Sequence, residues 1–130
     1  MKKNAALYSW LNEFLPFYRS TVTDPGENPA REFPYGTYDY ISDAWTGDDA
    51  GGVASISVSL WYRTESEAEP DAKAQEISEA IGIGGKLLAC DEGFIWVQRG
   101  SPFVQSMAYT EDPAIKRRYI NLNVIYLTKD

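Results

Sequence analysis

Leu7, Leu11, Phe14 and Leu15 recur at helical spacing near the start of the chain, with Asn12 and Glu13 between them. This spacing predicts an amphipathic helix over residues 4 to 15, stopped at Pro16, which cannot continue a helical hydrogen-bond ladder. The next segment, FYRSTV, reads as a short extended piece. Residues 23 to 32, TDPGENPARE, collect two prolines, a glycine and several charges, and read as an exposed loop. Residues 33 to 45, FPYGTYDYISDAW, are tyrosine-rich and extended, and TGDDAGG (46 to 52) is a turn or loop.

The clearest strand is VASISVSLWYR, residues 53 to 63. Ala54, Ile56, Val58, Leu60 and Tyr62 point one way, while Ser55, Ser57, Ser59 and Trp61 point the other. A helix follows, with Ser66 and Glu69 at capping-box spacing, Pro70 in the first turn, and Ala74, Ile77 and Ile81 as its buried stripe. Gly82 is placed to end it in a left-handed conformation. KLLAC, FIWVQR, FVQSMAY and KRRYINLNVIYLT then read as four strands. They are separated by turns at Asp91-Glu92-Gly93, Gly100-Ser101-Pro102 and Glu111-Asp112-Pro113. The element order predicts an α+β fold, an antiparallel sheet with two main helices packed on one face, in a single domain spanning residues 1 to 130.

Composition narrows the function. Hydrophobic residues make up 44% of the 130, enough for a packed core. Nineteen acids against twelve basic residues leave a formal net charge of -7. That balance opposes binding to nucleic acid or to an anionic membrane surface, both of which reward positive charge. One cysteine makes no intrachain disulfide. The start of the chain lacks a signal-peptide cleavage pattern, and no stretch approaches the roughly 20 apolar residues of a membrane span. A soluble, cytoplasmic protein is expected.

Candidate chemistry is sparse. Cys90 lies beside Asp91 and Glu92 in a chain without histidine, so nothing nearby supplies a base, and a small buried thiol in a hairpin is expected. The missing histidine also removes Ser-His-Asp and Cys-His catalysis and most zinc sites. Asp48-Asp49 and Asp91-Glu92 are the paired acids, but both sit in turns that favour acids for local reasons. GIGGKL follows a helix instead of preceding one, the wrong order for a phosphate loop. No catalytic residue, cofactor site or metal site is assigned, and no enzyme activity is expected.

The remaining candidates concern contact between subunits. Ser55, Ser57 and Ser59 form a row of small polar residues that is either a solvated face or a place where another subunit approaches closely. Trp61 continues that row, and an exposed tryptophan favours an interface. Lys116, Arg117 and Arg118 are either solvated residues at a strand start or a basic patch complementing a neighbouring copy's acids. These seven residues are the candidate subunit interface.

Three stretches, GGKLLACDEGFIWVQRGSPF, DPAIKRRYINLNVIYL and FPYGTYDYI followed by ISVSLWYRTES, carry a family resemblance over residues 33 to 127. In order of strands, helix and aromatic hairpin they resemble the tail-terminator and minor capsid proteins of long-tailed bacteriophages and prophages. The resemblance implies a structural virion-assembly protein forming a homo-oligomeric ring, usually a hexamer. Such a ring caps the tail tube and meets the head connector, first in the host cytoplasm and then in the virion tail. Another head–tail joining or minor capsid protein is one alternative, and a small cytoplasmic ligand-binding domain is another.

Overall fold

The computed structural model describes residues 1–19, 32–38, 53–91, 93–108 and 112–128. Residues 23 to 31 of the expected loop, the turn at 46 to 52 and the Asp48-Asp49 pair lie outside these residues. In chain order the elements are α1 (Lys3–Leu11), β1 (Phe17–Arg19), β2 (Tyr35–Tyr38) and β3 (Val53–Arg63). Then come α2 (Ala68–Ile81), β4 (Lys86–Cys90), β5 (Gly93–Ala108) and β6 (Ile115–Thr128). The sheet order is β1-β2-β3-β6-β5-β4, with β1 parallel to β2 and every other neighbour antiparallel.

This architecture corrects the expected α+β class. The fold is mostly sheet, curled into a six-stranded mixed half-barrel, with two short helices among the described residues. Two local causes account for the difference. First, α1 ends early, because Asn12 Nδ2 donates to the Tyr8 carbonyl (2.8 Å) and Asn12 Oδ1 accepts from the Phe17 backbone N–H (3.0 Å). Its side chain thus closes the helix well before Pro16 and fixes the start of β1 just after it. Second, Gly100-Ser101-Pro102 is no turn. Arg99 pairs with Leu122 and Val104 with Ile120, so residues 100 to 103 bulge opposite the single residue Asn121. Asn121 Nδ2 donates to the Pro102 carbonyl across this bulge (2.9 Å). Two expected strands therefore become one 16-residue strand along β6, and bulged long strands twist and curl.

Other elements form as their periodicity requires. Ile56, Val58, Leu60 and Tyr62 of β3 are buried, as are Ala74, Ile77 and Ile81 of α2. These join Leu7, Trp10 and Leu11 of α1, Ile95 and Val97 of β5, and Ile120, Leu122 and Val124 of β6 in one core. The α2 start is one residue later than the capping box implies: Ser66 Oγ accepts from Ala68 N–H (3.0 Å), two residues on. At its end Gly82 takes φ 74 and ψ 177, a combination open essentially to glycine alone. No helix among the described residues is long and apolar enough to cross a membrane.

Candidate functional site

The half-barrel has a core face, covered by the helices, and an outer face. Alternation along β3 and β6 assigns each candidate residue to one of them. Ser55, Ser57, Ser59 and Trp61 lie on the outer face, opposite Asn123, Asn121, Tyr119 and Arg117 in that order. The serines engage this facing row. Ser55 Oγ donates to Asn123 Oδ1 (3.3 Å) and Ser57 Oγ to Asn121 Oδ1 (2.9 Å), while Ser59 Oγ accepts from Arg117 Nε (3.0 Å). The row grades from exposed Ser55 to buried Ser59.

Trp61 is 5% exposed within the single chain. It packs in a second, smaller cluster with Tyr35 and Ile115, flanked by Phe33. Its indole N–H donates to Thr37 Oγ1 (3.0 Å), and the Arg117 guanidinium lies 4.9 Å from its ring centroid. Trp61 is therefore an internal anchor of the outer face. It offers no free ring for a neighbour.

The strand splits the basic run. Arg117 points to the outer face, between the Trp61 and Tyr119 rings. Lys116 and Arg118 point toward α2, opposite Tyr62 and Leu60. The Arg118 side chain, 3% exposed, donates from Nε to Asp71 and from Nη2 to Glu67, both at 2.8 Å. Its Nη1 reaches the Arg117 carbonyl (3.2 Å), and Lys116 lies 3.7 Å from Glu67. Burial works against the Arg118 charge, but the hydrogen bonds to Asp71 and Glu67 together with their negative charges outweigh it and hold the pKa above the usual arginine value. Arg118 is a clamp between sheet and helix. Three consecutive cations thus do not make one patch, because a strand sends alternate side chains to opposite faces.

Tyr62, on the core face, has its phenol pushed up from 10.0 to about 12, chiefly by burial, with Glu69 and Glu76 of α2 adding to it. The fold favours the neutral phenol. Its contribution is complete below the ordinary tyrosine value and fades as pH rises toward about 12. A difference titration of tyrosinate absorbance between wild type and Tyr62→Phe is expected to show the missing phenol ionising near about 12. Ionisation at the ordinary value would mean that this ring is solvated.

Cys90 is buried at the end of β4 and belongs to the main core. Asp91, beside it, is exposed and faces the Met1 amino group. Among the described residues no three His, Cys, Asp or Glu side chains group so as to hold a metal ion. A cavity of about 450 Å³ beside the start of α1 is lined by Lys2, Lys3, Cys90, Asp91 and Tyr126 among others, with one aromatic ring in its wall.

The feature that the residue-by-residue reading missed is apolar and lies at the other end of the outer face. Leu87 pairs with Trp96 and Trp96 with Ile125; Ala89 pairs with Phe94 and Phe94 with Leu127. Leu87 is 58% exposed, Phe94 40% and Leu127 38%, so the patch is open to solvent. Trp96 is fixed in place by an indole N–H bond to the Gly84 carbonyl (2.8 Å). A signal was present in the sequence. Along FIWV and VIYL both alternating sets are apolar, the mark of a strand whose two faces both require cover. No protein-family model, curated protein or solved structure matches the chain.

Proposed function

We propose that this chain is a structural subunit that acts through protein contacts, a tail-terminator-like protein of a long-tailed phage or prophage. In this reading it forms a ring, a hexamer, that caps the tail tube and meets the head connector. Another head–tail joining or minor capsid protein would use the same kind of surface. The observation that carries the reading is the apolar patch of Leu87, Phe94, Trp96, Ile125 and Leu127 on the outer face. Contiguous exposed apolar surface of this kind marks an interaction site in a soluble chain. Ring closure also needs two different patches on each subunit. The polar ladder from Ser55 to Arg117 lies on the same face and supplies a chemically distinct second surface.

Native mass spectra over a wide concentration range test the ring. A closed multimer is expected, and Phe94→Glu, which places a charge in the centre of the patch, is expected to abolish it while leaving the melting temperature near that of wild type. Species no larger than a dimer at every concentration, or a ring indifferent to Phe94→Glu, would overturn the reading.

A further inference from the structure

The edges of the sheet are unequal. One is β1, three residues long; the other is β4, with Leu87, Leu88 and Ala89 in succession and Lys86 as its single charge. A very short edge resists pairing with another chain, and β4 is the longer of the two. Its hairpin closes through Cys90 opposite Gly93, so the backbone groups of Lys86, Leu88 and Cys90 face β5. Those of Leu87 and Ala89 face outward. They have no partner among the described residues.

We infer that β4 is a self-pairing edge, joining two copies antiparallel across a twofold axis at Leu88. Three features select a second copy and this register. First, exposed Lys86 stands at one end of the edge and Asp91, ion-paired to the Met1 amino group, just past the other; antiparallel pairing brings each Lys86 toward this acid of the second copy, where it joins the existing pair. Second, the Asp91 backbone N–H is already bound to the Met1 carbonyl (2.8 Å), which excludes the register that would use it. Gly85, with φ 87, is out of strand geometry and excludes the register that would pair it with Ala89; what remains sets Leu87 opposite Ala89 of the second copy and the reverse, satisfying all four outward groups of each edge. Third, this register preserves faces, so exposed Leu87 of each copy comes beside Ala89 and Phe94 of the other and the two apolar patches merge. The result is a continuous twelve-stranded sheet. The pairing stands independently of the ring, since it uses a backbone edge and an isologous contact.

The register is readable by cross-linking. In a Cys90→Ala background, Leu88→Cys puts two thiols at a non-hydrogen-bonded antiparallel pair, with Cα atoms about 4.5 Å apart. This spacing accepts a disulfide. Leu87→Cys puts its two thiols about 8 Å apart by strand geometry, beyond the reach of a disulfide. In oxidised glutathione buffer, Leu88→Cys is expected to run as a covalent dimer at least tenfold faster than Leu87→Cys. At concentrations below those at which rings assemble, sedimentation equilibrium on unmodified protein is expected to show a dimer, and Ala89→Pro, which removes an outward N–H without touching the β5 ladder, a monomer with an unchanged far-ultraviolet spectrum. Equal cross-linking at positions 87 and 88, a monomeric wild type, or a folded Ala89→Pro dimer would each overturn the pairing. Rings assembling from monomeric Ala89→Pro chains would leave both this pairing and the ring intact; a dimer that never forms rings would sink only the ring.

Discussion

Gly36→Ala is expected to cost about 3 kcal/mol, the upper end of what overpacking a tight site costs. Gly36 sits in β2 directly beside Phe17 of β1 in the parallel pair. An added Cβ would lie 2.6 Å from Phe17 Cδ2 and closer still to Cε2 and Cζ. The ring cannot retreat, because Phe17 is 7% exposed and belongs to the main core. The neighbouring backbone is held as well, with Gly36 N–H bound to the Pro16 carbonyl (2.8 Å). Urea denaturation measures the loss. In a double-mutant cycle with Phe17→Leu the cost of Gly36→Ala should shrink, because the smaller side chain vacates the space. Fully additive costs would show that the contact is not the cause.

The second large effect concerns Arg118, and its sign depends on which partner is removed. Glu67 and Asp71 are 56% and 61% exposed, so on losing Arg118 they return to water at little cost. Arg118→Met keeps the apolar stem and is expected to stay within about 1 kcal/mol of wild type. Removing both acids instead strands a buried guanidinium, and Glu67→Ala/Asp71→Ala is expected to be the more damaging change, with the stranded arginine costing about 3 kcal/mol. The reverse order in unfolding midpoints would refute the clamp. There is also a pH signature. The hydrogen bond from Arg118, aided by the charges of Arg118 and Lys116, holds the Glu67 carboxyl below the usual carboxylate range. A depressed carboxylate stabilises the fold above its unfolded pKa, and that contribution disappears as pH falls through the lower folded value. Wild type should therefore lose stability on acidification along a limb that Arg118→Met lacks.

The two halves of this clamp are 47 and 51 residues apart in the chain, and that distance is why the basic run misled. Read along the sequence, Lys116, Arg117 and Arg118 are one cluster. Folded, Arg118 closes the sheet onto α2 and Arg117 lies against Trp61 on the other side. Trp61 illustrates the same limit. Its place on the outer row was legible from alternation, but its burial depends on Tyr35 and Ile115 arriving from β2 and β6. The Gly100-Ser101-Pro102 segment has turn chemistry, and only the pairing of its flanks with β6 makes it a bulge. The outer apolar patch was legible in principle, because FIWV and VIYL leave no polar face.

By itself the sequence determined the inward face of β3, the buried stripe of α2, the glycine stop at Gly82 and the β4–β5 hairpin. Each of these follows from a period or a backbone preference carried by a few adjacent residues. Tertiary structure alone decided the parallel β1–β2 pair, the curl of the sheet, the fates of Trp61 and Arg118, and the β4 edge, unpaired among the described residues. Those depend on which strands become neighbours and in what register. That choice is made by the summed burial of residues tens of positions apart, and no local pattern encodes it.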